Sequence, residues 1–344
     1  MDLTERQLSI LQVIIEDYIE TALPVGSSSL AKSGKIAFSS ATIRNEMAEL
    51  EEKGYIEKTH SSSGRVPSER GYRFYVDHLV SPSVLEKKEV EKLHMLFSQQ
   101  MIEFEKLIQE AANILSSMTN YTSIVLSPEL FDASLKQIQF IPVSDQMAVV
   151  ILVTETGFVE HRTIAIPKSV SADDLEMLVR MLNDRLRGVP IRQLNEYIAK
   201  EMDRILMHHL KQSSQLYELV GNLFGLPQHA KLFFSGKENI LSQPDFHDIR
   251  KLHGLYSVIE KEQPLYDLMK QPNELGDGIR VKIGKENSLI EMANCSLITA
   301  TFTLDGKKTG TLALLGPTRM EYGRVISLLT YLSADLHRFN DDLN

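Results

Sequence analysis

The apolar residues at the start of the chain predict a helix that begins at a capping box. Thr4 and Gln7 form a Thr-x-x-Gln pattern, in which a hydroxyl and an amide each satisfy one unpaired backbone N–H group. The apolar residues that follow repeat at the three- and four-residue spacing of one helix face; they are Leu8, Leu11, Ile15, Tyr18 and Ile19. A second, shorter helix is predicted over 27–33, because Gly26 and Gly34 bound it.

A third helix is predicted over 41–53, with a serine cap at Ser39 or Ser40 and a glycine stop at Gly54. Its apolar residues are spaced i, i+4 and i+7 and are expected to face the core; they are Ile43, Met47 and Leu50. The outward face of its N-terminal half then consists of Ala41, Arg44, Asn45 and Ala48.

The segment after the third helix predicts a β-hairpin. Residues 55–58 have the composition of a strand and 61–64 that of a turn, and Arg65 and Val66 return as a partner strand that Pro67 ends. Short helices followed by such a hairpin are typical of a winged helix-turn-helix, whose second paired helix enters the major groove of DNA. Asn and Arg can make bidentate contacts to base edges, and an Arg on a thin ribbon suits the minor groove.

We therefore expect the third helix and the hairpin to contact DNA. The candidate side chains are Ser40, Ala41, Thr42, Arg44, Asn45, Lys58, His60, Ser63 and Arg65. Arg44 and Asn45 would contact bases, Ser40 or Thr42 would reach phosphate, and Arg65 would enter the minor groove or hold a flanking phosphate. The alternative is a module that contacts only protein, since winged helices also serve as interaction domains.

The charge of residues 1–80 does not decide whether this domain contacts DNA or only protein. Residues 1–80 contain more acidic than basic side chains, although between Thr59 and Arg73 three arginines (Arg65, Arg70 and Arg73) accompany one acid, Glu69. Three arginines can make only a few phosphate contacts. One copy of this domain, which we call the head, would therefore bind DNA with modest non-specific affinity and a shallow salt dependence. Useful affinity would then require two heads, which indicates a homodimer.

Beyond 79–83, which has the composition of a linker, the chain alternates between helices and strands. An apolar stripe over 90–118 fits either a coiled coil or a helix lying along a sheet. Strands are predicted over 122–126, 137–143, 148–153, 159–166, 231–236, 278–283, 296–303 and 309–315. Helices are predicted over 173–187, 191–223, 245–253, 256–269 and 319–339.

This order predicts an α/β domain that an insertion interrupts, because strands lie at both ends and helices in the middle. The expected division is 1–80 for the DNA-binding head, 84–189 and 276–344 for the two parts of the α/β domain, and 190–275 for the insertion. Dimerisation requires apolar surface outside the head, and the insertion is its expected source. The residues proposed for it are Leu216, Tyr217, Leu219, Val220, Leu223 and Phe224.

Composition adds the cellular setting. Hydrophobic residues make up 43% of the 344-residue chain and charged residues 24%, as in globular proteins of two or three domains. The single cysteine, Cys295, fits a reducing compartment and lies in an apolar run, where a buried structural thiol is expected. The N-terminus lacks the pattern of a signal peptide, and the longest apolar run, 147–153, is too short to span a membrane. We expect a cytoplasmic protein with a net charge of −9 that contacts nucleic acid through one small domain.

The sequence contains only incomplete matches to the motifs of catalysis and cofactor binding. The Gly-Lys pairs at 236–237 and 306–307 lack the rest of a P-loop, and 276–278 lacks the third glycine of a dinucleotide fingerprint. His208 and His209 are adjacent, so on a helix their side chains point about 100° apart and cannot share a metal. We expect neither an enzyme nor a bound metal or cofactor.

Several stretches resemble the HrcA family, the bacterial heat-inducible transcription repressors. The runs that carry the resemblance are 39–47, 57–67, 71–77, 283–287 and 316–326, and the order of elements agrees along the chain. The resemblance implies an α+β multidomain fold: a winged helix-turn-helix, then a GAF-like domain with an inserted, mostly helical dimerisation domain. It also implies repression of chaperone operons through an inverted-repeat operator called CIRCE, with activity maintained by the GroEL chaperonin.

Two further functions stay open beside the dimeric repressor. A ligand-gated regulator would hold a metabolite in the GAF-like domain and change its DNA affinity accordingly. A pure interaction protein would use the head as a docking module. Operator binding by the purified protein separates the third possibility from the others, and melting with a panel of metabolites separates the first two.

Overall fold

The computed structural model describes twelve stretches of the chain. They are residues 3–59, 64–97, 104–127, 134–144, 146–155, 159–168, 170–194, 197–198, 231–246, 248–270, 278–304 and 308–339. They divide into two compact units: the first combines residues 1–100, 108–127 and 232–344, and the second combines 101–107 with 128–231.

The first 78 residues of the first unit form the head, which is mainly helical. Its elements are α1 (Glu5–Thr21), α2 (Ser27–Lys32), α3 (Ser40–Glu52), β1 (Ile56–Lys58), β2 (Arg65–Pro67) and α4 (Glu69–His78). The predicted capping box is present, with the Gln7 amide N–H donating to Thr4 Oγ1 and the Thr4 amide N–H donating to Gln7 Oε1, both at 3.2 Å. The predicted core face of α3 is confirmed, since its three apolar residues are buried.

A five-stranded antiparallel sheet forms the rest of the first unit, together with the helices around it; we call this part the body. The strands follow the order β7-β3-β10-β9-β8. They are β3 (Thr122–Leu126), β7 (Leu232–Ser235), β8 (Ile279–Ile283), β9 (Cys295–Leu304) and β10 (Lys308–Pro317). The helices are α5 (Lys87–Phe97), α6 (Phe104–Thr119), α8 (Asn239–Ser242), α9 (Ile249–Lys261), α10 (Gln263–Lys270) and α11 (Tyr322–Phe339).

The apolar stripe over 90–118 is divided between α5 and α6, and residues 98–103 lie outside the described chain. In α6, Ile108, Ala111 and Leu115 are fully buried within this one chain. The side chain of Gln109 donates to the main-chain oxygen of Phe234 in β7 at 3.2 Å. This arrangement favours the helix along a sheet over the coiled coil for α6, because its described apolar residues are covered without a second chain.

The second unit contains a separate three-stranded antiparallel sheet in the order β4-β5-β6. Its elements are β4 (Leu135–Ser144), β5 (Met147–Thr154), β6 (Val159–Ala165) and the helix α7 (Ala172–Leu186). Burial alternates along β5, so one face of the sheet joins the core that includes Leu178, Leu182 and Leu186 of α7. The other face carries the half-exposed apolar side chains of Ile141, Val143 and Met147.

This division differs from the expected insertion at 190–275. The strands β4–β6 hydrogen-bond to one another within the described chain, whereas β7 pairs with β3 of the body sheet. Asn239 Nδ2 also donates to Ser116 Oγ at 2.9 Å, which places the start of α8 in the body. The described part of the interrupting unit combines sheet and helix, whereas the mostly helical character predicted for 190–275 stays a prediction, because residues 199–230 lie outside the described residues. Periodicity shows that a segment is a strand but not which strand it pairs with.

One predicted helix boundary was also wrong. The sequence predicts one helix that ends at His253 and a second that begins at Tyr256, but α9 continues through Gly254 to Lys261. The chain breaks instead at Glu262, whose φ of 53° is left-handed. A Cβ at Gly254 would lie 3.3 Å from the Glu291 side chain, so this glycine allows close packing inside the helix.

Candidate nucleic-acid interface

The outer face of α3 is the main candidate surface. The Ser39 side chain accepts from the Thr42 amide at 3.1 Å, which starts the helix one residue before the predicted position. Arg44 and Asn45 are both exposed, as are Ala41 and Ala48 around them. An exposed guanidinium and an exposed amide on one helix face, with two small residues beside them, can approach base edges without steric obstruction.

The N-terminus of α3 lies beside that of α2, and hydroxyl groups line the junction. Ser40 Oγ lies 3.5 Å from both Ser27 Oγ and Ser28 Oγ, and Ser39 Oγ lies 2.9 Å from Thr42 Oγ1. Ser40 and Thr42 were predicted from the sequence to reach phosphate, but Ser27 and Ser28 were not. The Ser-Ser-Ser run after Gly26 was read only as a helix start, although hydroxyls at such a position also suit phosphate contact.

The ribbon of β1 and β2 places Lys58 on its exposed side, directly opposite Arg65 in the register. His60 and Ser63, which were also predicted to contact DNA, lie outside the described residues. The ribbon is anchored to the segment before α2, since the main chains of Val25 and Arg65 exchange hydrogen bonds of 2.8 and 2.9 Å. Gly64 allows this approach, because a Cβ there would lie 2.7 Å from Pro24 Cβ.

Arg65 is tied to α3 by an ion pair. Its Nη2 and Nε lie 2.7 and 2.8 Å from Glu51 Oε2, and 19% of its side chain is exposed. The predicted minor-groove or phosphate contact of Arg65 stays a prediction, and within the chain its charge is paired with Glu51. An ion pair between the ribbon and the last turn of α3 holds the two candidate DNA-contacting elements together.

The other two arginines of the local basic excess also have partners within the chain. Arg70 donates to the main-chain oxygen of Lys53 at 2.8 Å, and its guanidinium lies 4.6 Å from the centre of the Tyr55 ring. Arg73 turns to the body, where it pairs with Glu286. A phosphate path along 59–73 stays a prediction; within the chain, Arg70 holds the head together and Arg73 joins it to the body.

The acidic side chains of α3 are similarly engaged. Arg6 Nη1 lies 3.1 Å from Glu46 Oε1, and Gln7 Nε2 donates to Glu49 Oε2 at 2.6 Å. The Arg6–Glu46 and Arg65–Glu51 pairs thus offset two of the negative charges of α3. The repulsion that an acidic domain would exert on DNA is thereby reduced close to Arg44.

The predicted dimerisation residues cannot be placed, because Leu216, Tyr217, Leu219, Val220, Leu223 and Phe224 all lie outside the described residues. The described part of the same unit carries exposed apolar side chains on the outer face of its sheet, at Ile141, Val143 and Met147.

The remaining chemical groups do not form a reactive centre in the described chain. Burial, together with the charge of the nearby Asp245, raises the pKa of the Cys295 thiol to about 12, so this thiol stays protonated at neutral pH. The described stretches contain no cluster of three His, Cys, Asp or Glu side chains that could hold a metal ion. No helix in them is both long and apolar enough to cross a membrane.

Two comparisons with known proteins identify the same family. The family model of the HrcA protein C-terminal domain matches residues 105–326. A curated protein of Bacillus pumilus (strain SAFR-032), the heat-inducible transcription repressor HrcA, is 52% identical over 335 residues, which cover 97% of each protein. A solved crystal structure of a hypothetical protein covers 100% of both chains at 23% identity with a TM-score of 0.68, and it supports the fold alone. The chain belongs to the HrcA family.

Proposed function

We propose that this protein is a transcriptional repressor of heat-shock genes that binds DNA sequence-specifically through its head. The head has the element order of a winged helix-turn-helix, with α2 and α3 as the paired helices and β1–β2 as the wing. The observation that carries the proposal is the exposed Arg44–Asn45 face of α3 beside the ribbon, in a chain of the HrcA family. Its target would be the inverted-repeat CIRCE operator of chaperone operons.

The body would be the GAF-like domain of this repressor. Its support is an antiparallel sheet with α11 buried against it through Leu328, Leu329 and Leu332. The interrupting unit would carry the dimerisation surface, since it exposes apolar side chains on the outer face of its own sheet. A twofold dimer would present two α3 helices to the two halves of the operator.

The first experiment is footprinting of the purified protein on chaperone promoters, followed by substitution of Asn45. Asn45→Ala should weaken operator binding by about 1–3 kcal/mol per half-site and relax discrimination at one base pair, because a bidentate amide contact is lost. Asn113→Ala is the matched control, since Asn113 is an exposed helical asparagine in the body. Wild-type operator affinity in a folded Asn45→Ala protein would remove α3 from the proposed interface.

The maintenance of activity by the GroEL chaperonin is part of the proposal, and its support is topological. Strand β3 pairs with β10, so Thr122 must meet Leu315 before the body sheet closes, and residues 128–231 of the second unit lie between β3 and β7 in the sequence. Such distant pairing makes folding slow and leaves apolar surface exposed meanwhile, as expected of a chaperonin client. When heat diverts the chaperonin to other unfolded proteins, the active fraction would fall and the operons would be released.

Titration of active sites with operator DNA tests this mechanism. Chaperonin should raise the fraction of protein that binds the operator and leave the dissociation constant of that fraction unchanged. A fixed active fraction with a chaperonin-dependent dissociation constant would indicate allosteric control instead.

A ligand-gated regulator is the second candidate, and one cavity favours it. A partly open cavity of about 300 Å³ lies between α11 and the β8–β9 edge of the body sheet. Ile279, Ala300 and Phe302 supply apolar lining, and Thr330 and His337 supply polar groups, a combination typical of small-molecule sites. Thermal melting of the protein with a panel of metabolites tests this candidate, and a ligand that shifts both melting and operator affinity would establish it.

A further inference from the structure

Separate stretches of the chain meet where the head joins the body. The head contributes α1 and α4, and the body contributes the turn after β8 and the start of α11. We call this contact the head–body interface and define it by Ile19, Tyr72, Arg73, Val281, Glu286, Arg319 and Tyr322. Three of the runs that resemble the HrcA family, 71–77, 283–287 and 316–326, converge there.

Arg73 of α4 supplies the first connection. Its Nε donates to Glu286 Oε1 at 2.8 Å, and its Nη2 donates both to Glu286 Oε2 and, at 2.6 Å, to the main-chain oxygen of Val281. Glu286 is held in turn, since its Oε2 also accepts the Ile283 amide at 2.9 Å. A bidentate pair with a fixed carboxylate defines the direction as well as the distance between the two groups.

Arg319, in the bend between β10 and α11, supplies a second connection, to α1 of the head. Its Nη1 donates to the main-chain oxygen of Ile19 in α1 at 3.2 Å. Its Nε and Nη2 donate to Asp245 and Gln243 of the body at 2.8 and 3.3 Å. Only 12% of the Arg319 side chain is exposed, so competition from water is weak.

Apolar packing fills the space between these connections. Tyr72 of α4 and Tyr322 of α11 are both buried, with their ring centres 6.0 Å apart. Gly284, at a φ of +54°, brings the turn after β8 against the head, because a Cβ there would lie 2.4 Å from Glu69 Oε1. The head is thus attached through two of its helices and a buried aromatic contact, which together resist rotation about either helix.

The orientation in which the head is attached to the body matters for a protein that binds an inverted repeat. Adding one base pair between two half-sites moves one of them by about 3.4 Å and turns it by about 35° around the DNA axis. A head held rigidly on the body cannot follow that movement, whereas a loosely tethered head can. The exposed face of α3 carries Arg44 and Asn45, while Arg73 and Arg319 lie in the attachment and are committed to partners inside the chain.

We propose that Arg73 and Arg319 are positioning residues: through the head–body interface they fix the orientation of α3 and so determine which half-site spacing the dimer accepts. This inference rests on the proposed function, because it presupposes operator binding by two heads. It assigns no DNA contact to Arg73, although Arg73 belongs to the local basic excess of the head.

The test uses the full-length protein and synthetic duplexes that carry the footprinted inverted repeat. One duplex has the native spacer, others have one or two base pairs added or removed, and one has a single half-site. The variants are Arg73→Lys, Glu286→Gln and the exchange Arg73→Glu with Glu286→Arg. Arg70→Lys is the matched control, because Arg70 is an arginine of the same helix that contacts the Lys53 main-chain oxygen and the Tyr55 ring within the head.

Arg73→Lys and Glu286→Gln should each reduce the preference for the native spacer roughly tenfold, since a partly exposed bidentate pair is lost. Their single half-site affinity and salt dependence should match the wild type, and the charge exchange should restore spacer preference. If Arg73 contacted phosphate instead, the pattern would differ. Arg73→Lys would keep its DNA affinity, whereas the charge exchange would lose affinity for every duplex and lower the salt slope by about 1.

Each outcome separates this inference from the proposed function. A wild type without preference for the inverted repeat contradicts the proposed function and this inference with it. A wild type that prefers the repeat, with variants that retain its spacer profile, contradicts the inference alone. Tighter binding of the native operator by the loosened variants would also overturn it, because the attached orientation would then oppose binding. Melting curves equal to that of the wild type confirm that the variants are folded.

Discussion

The Arg65–Glu51 pair allows the most direct test of how the wing is used. Arg65 has two candidate roles, since it holds the ribbon against α3 and stands where a wing would meet DNA. Arg65→Ala removes both roles. Glu51→Gln removes the ionic partner but keeps the arginine, so the two variants together separate them.

The structural part of the effect can be estimated from the geometry. Charge-assisted hydrogen bonds contribute about 1.5–3 kcal/mol when well protected, and fully exposed ion pairs about 0–1 kcal/mol. With 19% of the Arg65 side chain and 33% of the Glu51 side chain exposed, the pair lies between these limits. We expect the pair to contribute about 1 kcal/mol to the attachment of the ribbon. Its loss should therefore change the local opening equilibrium of the ribbon roughly fivefold.

Hydrogen exchange measures that attachment, because the amide of Val25 donates to the main-chain oxygen of Arg65. Exchange over a peptide covering 24–27 should become roughly fivefold faster in both variants. The double substitution should exchange little faster than either single one, since the pair is already broken in each.

Operator binding measures the other role. If Arg65 contacts DNA, Arg65→Ala should weaken binding and lower the salt slope by about 1, while Glu51→Gln retains both. Equal losses of affinity in the two variants would refute the contact and leave Arg65 with a structural role alone. Unchanged exchange in both variants would refute the structural estimate.

Three further outcomes follow from the structure. Gly64→Ala should speed exchange at Val25, because its Cβ would lie 2.7 Å from Pro24, whereas Gly26→Ala should not, since nothing lies within 4 Å of that position. Val143→Asp should shift the protein towards monomer in light scattering, whereas Met177→Asp, at an exposed position on α7 of the same unit, should not. Equal oligomeric states of the two variants would exclude the outer sheet face as the dimer interface. Native Cys295 should react with iodoacetamide far more slowly than the unfolded thiol at pH 8, because raising its pKa from 9.0 to about 12 lowers the thiolate fraction roughly a thousandfold; equal rates would contradict its burial.

The parts of the fold that depend on neighbouring residues were predictable. The capping box at Thr4, the buried and exposed faces of α3, and the bounds of β3 were all found from residue type and spacing. These features arise from backbone hydrogen bonds and side-chain periodicity within a few residues. The candidate reading face, with Arg44 and Asn45, was accessible from the sequence for the same reason.

The sequence by itself therefore determined the local elements of the head and the residues that α3 exposes. The tertiary structure alone decided which strands share a sheet and which charge pairs with which. Arg73 pairs with Glu286 more than two hundred residues away, and β3 lies between β10 and β7 rather than beside β4. An arginine in a basic run has the same local pattern whether it faces phosphate or a distant carboxylate, because the ionic partner is selected by the folded geometry and not by spacing along the chain.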